Sequence, residues 1–256
     1  MRGEICVGTA SFLAFVSLLL LIFVHVSQIN TSTVPRSISL VKVNVSSYGN
    51  ALHAATFDPI DGLYTNNSSA SLESNAGLRQ FYLFGLYSHC AYVNDSAGTC
   101  TNHSIQNQFQ PYSALTSDML LNYTDLTNFI LSGTPFANSD SLGHSSRAAY
   151  WMLLLGTICA ALALLTGIPK NNLTFFISTG FAIIGSIFIL IGASIWTAMI
   201  KKAQSVNGLS IGTTTNPVPV GIEVTIGPAL FMIWAAFASL FASIIPYMVS
   251  CCTYRG

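Results

Sequence analysis

Four runs along the 256-residue chain contain no Asp, Glu, Lys or Arg: residues 5–26, 148–168, 173–200 and 226–249. At about 1.5 Å of rise per residue, against a hydrocarbon core about 30 Å thick, each run can cross a bilayer as a helix. The polar stretches between them are unequal, and the pattern predicts nine segments. These are an N-terminus at 1–4, a first span at 5–27, a large loop at 28–147, a second span at 148–168, a turn at 169–172, a third span at 173–200, a second loop at 201–225, a fourth span at 226–249 and a C-terminus at 250–256. The first run exceeds the roughly 7–15 apolar residues of a secretory signal, and Phe23-Val24-His25-Val26-Ser27 offers no small-x-small cleavage site. It is expected to remain as an anchor, which puts both termini on one side.

The large loop has periodicities of its own. Val41, Val43 and Val45 alternate with Lys42 and Asn44 and predict a half-buried strand; the aromatic run 81–87 predicts another, and the β-rich 218–226 of the second loop offers a third. Leu115, Met119, Tyr123, Leu126 and Ile130 recur at helical spacing, so 113–131 is expected to form one helix. Residues 48–75, rich in Asn, Ser, Gly and Ala, read as a flexible insertion.

Composition strengthens the membrane reading. Only 7% of residues are charged and 52% are hydrophobic, where a soluble domain has about 25% charged. A formal net charge of zero leaves no basic surface for nucleic acid, whose binding depends on phosphate neutralisation. Eleven of the eighteen charges fall in 28–147, four basic and seven acidic.

That loop also holds twelve Asn, seven of which (Asn30, Asn44, Asn66, Asn67, Asn94, Asn102 and Asn122) begin an Asn-x-Ser/Thr triplet. Its 29 Ser and Thr among 120 residues would give about three by chance. The excess favours an exported, glycosylated loop, with Asn66 and Asn67 competing for one glycan, although a loop this polar makes some triplets by accident. The positive-inside count is nearly balanced: Arg2, Lys170 and Arg255 on one side face Arg147, Lys201 and Lys202 on the other. Sequons and cysteines therefore carry the expectation of cytosolic termini.

Cys90 and Cys100 are the two cysteines of the large loop and are expected to form a disulfide in an oxidising compartment. Flanking His89 and His103 leave zinc as an alternative, though the spacing lacks the paired knuckle of structural zinc sites. Cys159 reads as a packing residue, whereas Cys251 and Cys252, at the end of the fourth span, are candidates for S-acylation.

Small residues recur on single helical faces: Gly156, Ala160, Ala163 and Gly167; Ser178, Ala182, Gly185 and Gly192; Ala235, Ser239 and Ala242. Such faces let membrane helices approach closely, which predicts either a tight four-helix bundle or a surface for a partner helix or self-association. Transporters and channels place ionisable groups or broken helices at mid-membrane, and here His25, at the outer end of the first span, is the one titratable candidate. Tyr150, Trp151, Trp196 and Tyr247 fall near span ends and read as interface anchors, while Trp234 lies deeper.

Catalysis finds little support. Asp58, Asp61, Asp118, Asp125, His89, His103 and His144 are present, but no recognised catalytic or phosphate-binding motif joins them, and scattered Asp residues are usually solvated turn formers. No enzyme activity and no cofactor or metal is expected.

One combination of features resembles a known family. The first span is followed by the β-rich stretch 35–45, then by Gly85-Leu86-Tyr87-Ser88-His89-Cys90, by Cys100, by Phe109-Gln110-Pro111 and by three closely spaced spans. This resembles the fungal Sur-seven/PalI family of claudin-like tetraspan plasma-membrane proteins, over nearly the whole chain. The resemblance implies an all-α membrane four-helix bundle with a small extracellular α+β domain, multi-pass in the plasma membrane with cytosolic termini. It also implies a non-enzymatic organiser of stable membrane patches (eisosomes) that supports cell-wall integrity and endocytosis or sporulation. Membrane lipids, lateral protein partners or further copies, and cell-wall contact are the implied partners. A tetraspan acting in cell contact or fusion, and an auxiliary subunit of a wall-polymer synthase or transporter, are the alternatives. Tyr87 stands where the family commonly has Trp, and all three Trp lie in the spans, which argues against a claudin-type barrier. The short tail 250–256 argues against a pH-signalling scaffold.

Overall fold

The computed structural model describes residues 2–57, 59–94, 97–169, 172–211 and 217–253, with side chains described for 5–57, 59–94, 97–169, 173–211 and 217–249. In chain order, α1 (Arg2–His25) leads to α2 (Thr33–Ser37), β1 (Val41–Asn44), α3 (Tyr48–Thr56), β2 (Phe81–Phe84), β3 (His89–Tyr92) and β4 (Gly98–Cys100). Then follow α4 (Pro111–Asp118), α5 (Leu121–Leu131), α6 (Ser139–Gly167), α7 (Asn172–Ala203), a 3-10 turn (Gln204–Gly208), β5 (Ser210–Ile211), β6 (Val218–Pro219), β7 (Glu223–Ile226) and α8 (Pro228–Thr253). Four of these helices, α1, α6, α7 and α8, are long and apolar enough to cross a membrane. The chain divides into a helical unit (Met1–His25, Ala148–Trp196, Ala229–Gly256) and a sheet unit (Val26–Arg147, Thr197–Pro228).

Within the helical unit, two of the three small-residue faces point inward. Gly156, Ala160, Ala163 and Gly167 of α6 and Ser178, Ala182, Gly185 and Gly192 of α7 are all buried. A Cβ on Gly156 would stand 2.6 Å from Ile189, one on Gly192 2.8 Å from Leu153, and one on Gly185 2.9 Å from Cys159 and 3.0 Å from Leu240. The third face behaves differently: Ala235 and Ala242 are exposed and Ser239 is half-buried, beside exposed Phe231, Phe241 and Ile245. The buried face of α8 is instead Ile233, Ala236, Leu240, Ser243 and Tyr247. Size complementarity explains this. The gaps left by Gly185 and Gly167 are filled by Leu240 and Tyr247, so α8 supplies the large partners and turns its small residues outward.

Several polar side chains in this unit find partners within it, which offsets the cost of burying them away from water. The Ser17 hydroxyl donates to the Ala236 carbonyl at 2.8 Å, Thr166 and Ser178 hydroxyls pair at 2.7 Å, and the Tyr247 hydroxyl donates to the Ala163 carbonyl at 3.3 Å. His25, expected to reach the membrane interface, lies 3.0 Å from the Thr157 hydroxyl. Of the expected interface anchors, Trp151 is exposed, whereas Tyr150, Trp196 and Tyr247 are buried.

The sheet unit contains a five-stranded sheet in the order β4-β3-β2-β1-β7, antiparallel throughout. Strand β1 lies where its valines predict, with Val41 and Val43 buried and Lys42 and Asn44 on the opposite face. It pairs on one side with β2 (Val43↔Tyr82) and on the other with β7 from the second loop (Val43↔Val224), so two distant parts of the chain share one sheet. Gly227, following β7, is tight against the Ser39 carbonyl, a position that admits no Cβ.

Two expectations fail here. Residues 113–131 form two helices rather than one, because the chain turns extended at Met119 and Leu120. That break leaves Asp118 and Met119 buried and rotates α5, so that it buries Thr127 and Leu131 rather than Tyr123 and Leu126. Residues 48–75 are not a featureless insertion: α3 begins at buried Tyr48, whose hydroxyl pairs with that of Thr127 at 2.7 Å. Tyr64 ties the same segment down, donating to the Val45 carbonyl at 2.6 Å and accepting from the Gly49 amide at 2.9 Å.

Candidate functional site

The cysteine-centred motif is built around one polar residue. Gln28 is fully buried with a left-handed backbone (φ 53°). Its Nε2 donates to the carbonyls of Pro35 (3.0 Å), Arg36 (2.9 Å) and Ile38 (2.9 Å), and its own carbonyl accepts from the Ser88 hydroxyl at 2.5 Å. The Tyr92 hydroxyl reaches its Oε1 at 3.4 Å, and the Arg36 guanidinium lies 4.9 Å from the Tyr92 ring centroid. A buried carboxamide with its donors and acceptors satisfied fixes the backbone around it more sharply than an apolar residue can.

Gly85, Leu86, Tyr87 and Cys90 wrap this hub. A Cβ on Gly85 would collide with the Ser27 carbonyl and lie 2.9 Å from the Gln28 Cβ, so the motif glycine is what allows the two segments to touch. The Gly85 amide donates to the Ser88 carbonyl at 3.0 Å, closing a turn that leads into β3; Leu86 is buried and Tyr87 half-buried. Cys90 and Cys100 are directly opposite each other on β3 and β4 and are joined as a disulfide. This removes the sulfurs that zinc would need, and His103 lies with its Nε2 2.6 Å from the Ile29 carbonyl. Gly98 is pressed against the Tyr92 ring, which fixes the hairpin from its other end.

A second buried polar group sits beside the sheet. Arg79 and Asp118 form an ion pair at 2.9 Å; Asp118 also accepts from the Tyr82 hydroxyl at 2.7 Å and from the Glu73 amide at 2.6 Å, while Arg79 Nη2 donates to the Ala70 carbonyl at 2.5 Å. Burial pushes the Asp118 carboxyl above its ordinary value, against the opposing pull of Tyr82, Glu73 and Arg79. Burial and the adjacent Asp118 carry the Tyr82 phenol well above its usual range. Asp118, expected from sequence to be a solvated turn former, is therefore a buried anchor holding residues 70–79 to the end of α4. Its partner lies 39 residues away, a distance at which sequence carries no pairing signal.

His89 is buried against Phe84, with ring centroids 5.2 Å apart. Desolvation lowers its pKa to about 4, so the ring is neutral at physiological pH. Thr101 holds its main chain, its amide donating to the His89 carbonyl at 2.9 Å.

The remaining sequence candidates are dispersed. Asn30, Asn66, Asn67, Asn94, Asn102 and Asn122 are exposed and Asn44 is half-buried on β1, so each sequon meets solvent at least in part. Asp61, Asp125 and His144 are exposed and separate from the disulfide. Asp58, Lys170, Arg255 and the side chains of Arg2, Cys251 and Cys252 lie outside the described residues. Among the described residues, no three His, Cys, Asp or Glu side chains converge as a metal site requires.

Gln28 and Arg79 were not legible as functional positions. Gln28 had one local cue, a lone amide where the first span ends, and Arg79 had none.

Comparison with curated proteins finds no significant match. A family model does match residues 6–246, from within α1 to within α8, which takes in the Gly85–Cys90 turn, the disulfide and all four long helices. The chain belongs to the SUR7/PalI family.

Proposed function

We propose that this protein is a non-enzymatic organiser of plasma-membrane patches, working by lateral assembly in the bilayer, with its termini in the cytosol and its glycosylated sheet domain facing a cell wall. The observation that carries this reading is the family match over 6–246, which covers both units rather than a shared motif alone. Two features of the fold support it. Gly156, Gly167, Gly185 and Gly192 are used up in internal packing, which gives a stiff bundle, while Ala235, Ser239 and Ala242 of α8 remain on the outside, where a neighbouring membrane helix can approach closely. The sheet domain is held by a disulfide and two buried polar hubs, suiting it to a load-bearing or contact role. Deleting the protein from its native cell tests the reading: loss of discrete membrane patches with sensitivity to wall-perturbing dyes is expected, and unchanged patches with unchanged growth on those dyes would contradict it.

A further inference from the structure

Two of the sheet domain's cavities, of about 390 and 300 Å3, share Glu73, His89, Ser104 and Asn107 in their walls. Asn102 lines the first and Gln106 the second, and the rest of the lining is mainly hydroxyls and carboxamides. Among the described residues, no Lys or Arg borders either cavity, so they are poorly suited to phosphate or carboxylate ligands. One carboxylate and one imidazole fall short of a metal ligand set, and walls this polar do not select an apolar molecule.

What these groups match is a dense array of neutral hydroxyls. A carboxylate accepts from two neighbouring hydroxyls, while carboxamides and a neutral imidazole both donate and accept. Two of them are held in advance. Glu73 has a left-handed backbone (φ 60°), fixed by the hydrogen bond its amide donates to the buried Asp118 carboxylate at 2.6 Å, and Gln106 is also left-handed (φ 62°). Non-glycine residues hold such conformations only where their surroundings impose them, and they gather at ligand sites. His89 is only 6% exposed, and it borders both cavities.

We propose that this double cavity binds an uncharged glycan, contacted by Glu73, His89 and Asn107. The Asn102-His103-Ser104 triplet stands on its rim, with Asn102 in the first cavity and Ser104 in both. The glycan can thus come from two sources: the chain's own Asn102 or a separate saccharide. The proposal does not depend on the membrane-organiser reading.

The test uses full-length protein in nanodiscs free of glycoside detergent, as wild type and as Asn102→Gln. Each is titrated with laminarihexaose, chitohexaose and mannohexaose and followed by saturation-transfer NMR. At least one hexasaccharide is expected to bind at millimolar affinity or better, and both Glu73→Gln and Asn107→Ala are expected to weaken it by about tenfold. Glu73 is exposed and Asn107 half-buried, so both variants should fold, which unfolding curves would check. Binding only by Asn102→Gln identifies the chain's own glycan as the resident ligand; binding by the wild type identifies a separate saccharide. Failure of all three to bind either form, or binding that both cavity variants leave unchanged, overturns the proposal.

Discussion

Arg79 Nη1 lies 2.9 Å from Asp118 Oδ2, with both side chains shut off from solvent. Such a pair contributes little net stability compared with apolar replacements, but removing one partner strands a buried charge. Arg79→Met is therefore expected to destabilise the sheet domain by about 3–5 kcal/mol, and Arg79→Met with Asp118→Leu to recover most of that loss. Thermal unfolding of the double variant and of both single variants, Arg79→Met and Asp118→Leu, decides it; a double variant showing the sum of both single losses would contradict the buried pairing.

The Cys90–Cys100 disulfide closes a short loop, and its loss should cost about 3 kcal/mol in the chain-entropy model. In the unreduced protein, Cys90→Ser should expose one new alkylatable thiol, at Cys100. If both sulfurs react with a maleimide in the untreated wild type, the bridge is absent.

Gly85 meets Ser27 and Gln28 too closely for any side chain. Gly85→Ala should therefore destabilise by about 1–3 kcal/mol, as overpacking does, and lower the folded yield. A neutral result in unfolding and expression would show that the contact with Gln28 is not made.

The lowered pKa of His89 has a definite sign. With its folded value at about 4 and an ordinary value of 6.5, the unfolded chain takes up a proton between those pH values and the folded chain does not. Its stabilising contribution is complete above pH 6.5 and is lost as pH falls towards 4, by about 3 kcal/mol in all. Glu73 borders the same cavities, so the comparison is between wild type and His89→Gln. The variant should show a shallower loss of unfolding midpoint from pH 7 to 4.5; equal slopes would refute the assignment.

In the helical unit, inward and outward small residues should respond differently. Gly185→Leu is expected to destabilise the bundle by about 1–3 kcal/mol or more, since even a Cβ there stands 2.9 Å from Cys159. Ala235→Leu, on the exposed face of α8, should change stability by under about 0.5 kcal/mol. Unfolding in detergent with the reverse ranking would mean that α8 packs through its small face.

The membrane part of this fold is plain in the sequence, because a bilayer forces long charge-free runs on any helix that crosses it. β1 was equally legible, since Val41, Val43 and Val45 share one buried face. Strands β3 and β4 were not: all four residues of His89–Tyr92 are buried, so no alternation marks them, and Gly98–Cys100 is too short to show any. The phase of α8 was misread because small residues mark closeness only where the partner is known. Leu240 and Tyr247 fit the interior because Gly185 and Gly167 face them. At the candidate site, Cys90 and Cys100 stood out as the two cysteines of the large loop, and Gly85 through the motif that carries the family resemblance. Gln28 and the Arg79–Asp118 pair could not, since each is defined by contacts with residues far along the chain.

Lateral assembly is the centre of this account, and photobleaching of tagged full-length protein in its native cell tests it most directly. The protein should lie in discrete, stationary patches, and a bleached patch should recover almost none of its fluorescence over minutes. A uniform distribution that refills within seconds would contradict assembly and leave a freely diffusing tetraspan.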